Sequence, residues 1–138
     1  MATIIKYQGT EIKLTSKRQG TAYPWGDKYL RQHHRIFVTI GGKRIQFEYY
    51  CNEVKLKEDD LRSALYCFLS DGIAYNNARD FNDFCNEFGY GIYNDYGEPN
   101  AESWRVYKAC GRQYDKWQEL CNIDIYEFFD WLQETYNL

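Results

Sequence analysis

The first fifty residues alternate apolar and polar positions, a period of two that is typical of strands with one buried face. Four runs follow this pattern: Thr3 to Tyr7, Glu11 to Thr15, Arg35 to Ile40 and Lys43 to Tyr50. Residues 8–10 and the pair Gly41-Gly42 are turn signals between neighbouring runs, so the pattern predicts two antiparallel hairpins. Between the hairpins lies Ser16 to Gln32, which we predict to be a long loop.

After Tyr50 the apolar period changes from two to 3.6, which indicates helices. Leu61, Ala64, Leu65, Phe68 and Leu69 form one apolar stripe, and Phe81, Phe84, Cys85 and Phe88 form a second. Gly89 is placed to end the second helix, while Asn100 and Asp124 are placed to cap the starts of a third and a fourth. Strands at about 1–52 followed by helices at about 57–138 predict a single domain of the α+β class.

Length and composition support one folded domain. The 138 residues are 44% hydrophobic and 27% charged, which are ordinary globular values. No apolar run reaches the roughly 18 residues of a spanning helix, so we expect a cytoplasmic protein with no membrane partner. Aromatic residues are abundant at 19% of the chain, and such rings serve both cores and interfaces.

Charge is divided unevenly along the chain. Residues 1–57 carry 11 lysines and arginines against 4 carboxylates, whereas residues 58–138 carry 6 against 16. A basic front half could attract a phosphorylated ligand, but the acidic back half would repel a long polyanion. We therefore expect a small anion or a second copy of the chain as partner, rather than a long nucleic acid, and we predict a homo-oligomer.

Motifs of known enzyme classes are missing from the sequence. It contains no phosphate-binding loop, dinucleotide fingerprint, nucleophile elbow or paired-histidine zinc helix, so we predict a non-enzyme without cofactor or metal. Five cysteines include no C-x-x-C pair, and the adjacent His33 and His34 would point to opposite faces of a strand. The tyrosine-rich loop from Tyr90 to Pro99 is better suited to an aromatic, amide-bearing ligand site than to a phosphate cradle.

Several short sequence motifs between Phe47 and Cys121 resemble those of a family of small phage proteins. These motifs are FEYY, FNDFCNEFGY and YKAC, together with the EDDLRSALYCFLSD segment of the first predicted helix. Within that wide group, the N-terminal hairpins and the spacing from LSD to YKAC most resemble the phage anti-defence proteins that counter the Thoeris system. In Thoeris, a TIR-domain enzyme makes a cyclic ADP-ribose isomer that activates a lethal effector.

The resemblance implies a sponge, a homo-oligomer in the infected bacterial host that binds the cyclic ADP-ribose isomer tightly without cleaving it. It aligns Phe84 with a stacking aromatic, Asn94 with a polar contact and Arg112 with a ligand-binding arginine. Tyr90 and Tyr93 are further ligand candidates, although both could instead close a subunit contact. Core packing alone would also explain Phe84, and Arg112 could simply pair with Asp115 or Glu119 on its own helix.

Two other functions stay open at this point. A protein-binding inhibitor of another defence system, such as an anti-CRISPR, could use the acidic helical face. A phosphodiesterase acting on the messenger is a weaker alternative, because the sequence has no metal-ligand clusters. Cyclic oligonucleotides are further candidate ligands of the sponge.

Overall fold

A four-stranded antiparallel sheet is followed by four helices in the computed structural model, which describes residues 2–138. The strands are β1 (Ala2–Tyr7), β2 (Thr10–Trp25), β3 (Tyr29–Ile40) and β4 (Lys43–Cys51), and the helices are α1 (Glu58–Asn77), α2 (Phe81–Phe88), α3 (Ala101–Leu120) and α4 (Ile125–Tyr136). The strands lie side by side in chain order. The predicted α+β class, with strands first and helices after, is confirmed.

The segment from Ser16 to Gln32, predicted to be a loop, is instead mostly strand. Residues 16–25 continue β2 and residues 29–32 begin β3, with a turn at Gly26 that has a positive φ of 73°. A bulge interrupts the pairing between Gln19 and Tyr23. The buried Gln32 side chain spans this bulge, because its amide donates hydrogen bonds to the carbonyls of Gln19 and Gly20. The prediction failed because the extended part of this ribbon packs against no core and therefore carries no apolar alternation.

The main core lies between one face of the sheet and three helices. Alternate strand residues such as Ile5, Leu14 and Val38 are fully buried there. They face apolar residues of α1, α3 and α4, among which Trp117 and Phe128 are stacked with ring centroids 5.4 Å apart. Burial of this kind supplies the main favourable free energy of folding.

A second, smaller core holds α2 against α3. It consists of Phe81, Phe84, Cys85 and Cys110, with Trp104 and Tyr107 packed around them. Phe81 stacks on Trp104 at 4.0 Å between ring centroids. This cluster fixes the position of α2 and thereby forms one wall of the candidate site.

The predicted helix caps are confirmed. The Asn100 side chain accepts hydrogen bonds from the backbone of Glu102 and Ser103, and the Asp124 side chain accepts from Tyr126 and Glu127. Gly89 ends α2 in the left-handed conformation with φ 74°. None of the described helices combines the length and apolar character needed to cross a bilayer.

Candidate functional site

A hollow of about 210 Å³ opens between α1, α2 and α3, and we call it the α2–α3 hollow. Its lining includes Asp71, Phe84, Phe88, Tyr90, Arg105 and Gln113. Phe88 and Tyr90 are both a little under half exposed, so their rings flank the opening. The hollow thus combines two accessible rings with a guanidinium, a carboxylate and an amide.

A second hollow of about 210 Å³ adjoins the first, and we call it the β4–α3 hollow. Its lining includes Gln46, Glu48, Arg112, Gln113 and Lys116. Ala109 and Gln113 line both hollows, so the two form one groove along α3. Neither hollow alone reaches the roughly 300–1,000 Å³ of a small-molecule site, whereas the two together do.

The five predicted site residues fall into three places. Phe84 and Tyr90 line the α2–α3 hollow, and Arg112 lines the β4–α3 hollow. Tyr93 and Asn94 line neither of the two and lie on the exposed loop that follows α2.

Phe84 lies at the base of the hollow and is only 2% exposed. Tyr90 lies nearly parallel to it, with ring centroids 5.7 Å apart and an angle of 8° between the planes. Tyr90 therefore covers Phe84, and the ring faces available to a ligand belong to Tyr90 and Phe88. The resemblance aligns Phe84 with a stacking aromatic, but Phe84 is buried, and the accessible rings in this region are those of its neighbours Phe88 and Tyr90.

Asn94 organises its own loop. Its side-chain oxygen accepts hydrogen bonds from the backbone of Tyr96 and Glu98, each at 2.9 Å. The Asn94 N–H also donates to the Glu98 carbonyl at 2.7 Å. Because the side-chain oxygen already accepts these hydrogen bonds, Asn94 can contact a ligand mainly through its side-chain NH₂ group, which is a donor.

Two arginines lie along the groove. Arg105 donates from Nε to Glu102 at 3.1 Å, and this contact lowers the pKa of the Glu102 carboxyl. Within residues 2–138, Arg112 forms no ion pair with Asp115, Glu119 or any other carboxylate. Seven residues of helix place the two arginines on the same face, about 10 Å apart along the axis. Arg112 is thus free to meet an anion.

Three groups that were not predicted complete the groove: Asp71, Cys110 and Gln113. Desolvation raises the pKa of Asp71 above its ordinary value. Burial, followed by the nearby charge of Asp71, raises the pKa of the Cys110 thiol to about 11. The side-chain oxygen of Gln113 is buried and has no hydrogen-bond partner in the described part of the chain. A buried acceptor without a donor is unfavourable, so a donor that reached the Gln113 oxygen would stabilise it.

The spacing of residues along α3 is a sequence pattern that could have indicated some of the groove residues. Positions 105, 109, 112, 113 and 116 recur at helical intervals with the small Ala109 among long polar side chains. Asp71 had no such signal, because only the packing of α1 against α3 brings it to the hollow.

The histidines and cysteines are dispersed. His33 stacks on Tyr50 and contacts Glu48, whereas His34 is buried and lies 2.7 Å from the Glu53 carbonyl oxygen, so the predicted opposite orientation is confirmed. All five cysteines are free thiols. Across residues 2–138, no group of three or more histidine, cysteine or carboxylate side chains is arranged to hold a metal ion.

Comparison with protein-family models, with curated proteins and with solved structures finds no match to this chain.

Proposed function

We propose that this protein binds and sequesters a cyclic ADP-ribose isomer without cleaving it, as a phage anti-defence protein that keeps a Thoeris effector inactive in the infected bacterium. The observation that carries the proposal is the α3 groove, where two accessible rings, two guanidiniums and an unpartnered buried amide oxygen line adjoining hollows. The sequence motifs that resemble those of the phage family favour the same class of ligand, a cyclic ADP-ribose isomer.

Each chemical part of the ligand has a matching group in the groove. Tyr90 and Phe88 offer ring faces for adenine, and such stacking is favourable for any base. Arg112 can grip two pyrophosphate oxygens with parallel charged hydrogen bonds, and Arg105 lies two turns away for the other end of the molecule. Asp71 and the Gln113 oxygen can accept hydrogen bonds from ribose hydroxyls, which would supply the missing donor at Gln113.

The chemistry of the groove favours binding over cleavage. Cys110 is the thiol among the groove residues, and a thiol with a pKa of about 11 stays protonated at neutral pH. A protonated thiol is a poor nucleophile. Asp71 is the carboxylate that lines the α2–α3 hollow, and desolvation by burial is what raises its pKa.

Depletion of ligand from solution tests the proposal. Purified protein is mixed with a panel of cyclic ADP-ribose isomers and cyclic oligonucleotides, and the unbound fraction is measured by chromatography after filtration. We expect stoichiometric depletion of at least one cyclic ADP-ribose isomer. No depletion of any member would contradict the proposal, and co-purification of a host protein instead would favour the protein-binding inhibitor.

Arg79 provides a matched control for the groove. Like Arg105, it forms an ion pair with a carboxylate one turn away on the surface, but it lines neither hollow. We expect Arg105→Ala to reduce depletion and Arg79→Ala to leave it unchanged. Equal behaviour of the two variants would remove Arg105 from the site.

A further inference from the structure

The β2–β3 ribbon extends beyond the rest of the sheet, and we call its outer part, residues 20–31, the arm. Pairing with β1 ends at Thr15, and pairing with β4 ends at Gln32. Every residue from Tyr23 to Leu30 is exposed. A two-stranded ribbon with no further cover is marginally stable in water, so the arm gains stability from any surface that covers it.

One face of the arm is aromatic and cationic. Tyr23 pairs with Arg31 and Trp25 pairs with Tyr29, which places the four side chains on the same face. The Arg31 guanidinium lies 5.0 Å from the Trp25 ring centroid, and Trp25 and Tyr29 are 54% and 60% exposed. At the turn, Lys28 adds a positive charge and its neighbour Asp27 a negative one, so the arm carries a net charge of +1 from Lys28, Arg31 and Asp27.

The loop after α2 is a second exposed aromatic patch of opposite charge, and we call residues 93–98 the acidic loop. Its rings are Tyr93 and Tyr96, which are 62% and 89% exposed. Its charged residues are Asp95 and Glu98, and it contains no lysine or arginine. Hydrogen bonds to Asn94 hold the loop in one shape, so little order has to be gained on association.

The two patches are complementary, and each is exposed within its own chain. We propose that the arm of one copy docks on the acidic loop of a second copy, so that the protein assembles head to tail. Rings carry roughly 100 Å² of exposed surface each, so the five rings on the two patches would bury roughly 500 Å². This is about two fifths of the roughly 1,200 Å² at the lower end of specific interfaces, and the ion pairs and neighbouring backbone would supply the rest.

A head-to-tail contact joins two different surfaces, so it closes into a ring or continues as a filament. The inference goes beyond the proposed function because it names the surfaces of assembly and requires no ligand. Single-stranded nucleic acid would also suit an aromatic, cationic arm. A second copy is the better partner, because the chain itself presents an acidic aromatic surface of matching chemistry.

Charge reversal on each patch tests the contact in the full chain. The arm variant carries Lys28→Glu and Arg31→Glu, and the loop variant carries Asp95→Lys and Glu98→Lys. Lys6→Glu with Lys13→Glu is the matched control, since it makes the same charge change elsewhere on the sheet. Sedimentation velocity at about 10 μM, without ligand, measures the mass of each protein, and circular dichroism checks that each is folded.

We expect an oligomer for the unmodified protein and for the control, and a monomer for each patch variant, with association weakened at least tenfold. An equal mixture of the two patch variants should associate again, because the loop variant keeps its arm, the arm variant keeps its acidic loop, and the reversed arm and reversed loop also carry opposite charges. The variant with all four substitutions should associate again, since its charges are exchanged.

The proposal is overturned if the unmodified protein is a monomer, if both patch variants keep the full mass, or if their mixture stays monomeric. It is also overturned if the arm variant keeps the full mass but loses binding to a labelled 12-nucleotide oligothymidylate, which would assign the arm to single strands. Because none of the four positions lines the α3 groove, these results are separate from the ligand-depletion test.

Discussion

Replacing Arg112 by lysine separates the electrostatic role of this side chain from its geometry. Lysine keeps the positive charge but loses the planar fork that grips two oxygens. Arg112 is exposed and has no ion pair within residues 2–138, so the change should alter the free energy of unfolding by less than about 0.5 kcal/mol. For a chain of this length that is a shift in Tm of less than about 2 °C.

The expected effect on ligand affinity is much larger. Truncating one partner of a charged hydrogen-bonded pair costs about 2–5 kcal/mol when the pair is buried. The β4–α3 hollow is open to solvent on one side, so we expect the lower end, about 2 kcal/mol, or about thirtyfold in Kd. Arg105→Lys should weaken binding less, because Arg105 is already hydrogen-bonded to Glu102.

Calorimetric titration of Arg112→Lys, Arg112→Ala, Arg105→Lys and Arg79→Lys with the depleted cyclic ADP-ribose isomer measures these differences. Arg79→Lys should bind like the unmodified protein. Unchanged affinity in both Arg112 variants would refute the assignment of this residue. If Arg105→Lys alone lost affinity, the ligand would be confined to the α2–α3 hollow.

Three further predictions concern stability and the groove thiol. Gly111→Ala should lower the Tm by about 3 °C, measured by thermal unfolding, because a Cβ there would lie 2.9 Å from the Tyr75 ring and the overpacking outweighs the gain in helix propensity. Asp71→Asn should stabilise the protein at neutral pH: the raised pKa of Asp71 means that stability is lost as the pH rises from 3.8 through the folded-state pKa. Urea unfolding should therefore give equal free energies for the two proteins at low pH and a higher value for the variant at pH 7. Cys110→Ala should lower the free energy of unfolding by about 1 kcal/mol and leave ligand affinity unchanged, measured by urea unfolding and calorimetry.

Each of these predictions has a contradicting result. A higher Tm for Gly111→Ala would mean that Tyr75 moves aside without cost. If Asp71→Asn raised the free energy of unfolding by the same amount at every pH, desolvation of the charged carboxylate would be excluded as the cause. Loss of ligand binding by a folded Cys110→Ala protein would give the thiol a role in the site, as would loss in a serine or alanine variant of any other cysteine.

The parts of the fold that pack against the core could be read from the sequence. The strand runs alternate because one face of each is buried, and the helix stripes recur at 3.6 because α1, α2 and α3 each bury one side. The caps at Asn100 and Asp124 are local, so the residue types alone indicate them. The arm could not be predicted in this way, because its strands pair with each other but bury no face.

The candidate site was only partly predictable for a similar reason. The sequence names Tyr90 and Arg112 as ligand candidates, and both line the groove, but it does not reveal that Tyr90 covers Phe84 or that Arg105 and Arg112 line adjoining hollows. Those relations depend on the angle at which α2 meets α3, which the small core around Phe81 and Trp104 determines. Asp71 and Gln113 enter the groove through the same tertiary packing.

The central claim is that the messenger is held and not destroyed, and release from the denatured protein tests it most directly. A cyclic ADP-ribose isomer is incubated with excess protein, and one half of the mixture is filtered directly while the other half is heat-denatured and then filtered. Each filtrate is added to a purified Thoeris effector. We predict an inactive effector before heating and full activation afterwards, with the intact isomer recovered by chromatography. A filtrate that fails to activate the effector after heating, and that contains a hydrolysed product, would contradict the account.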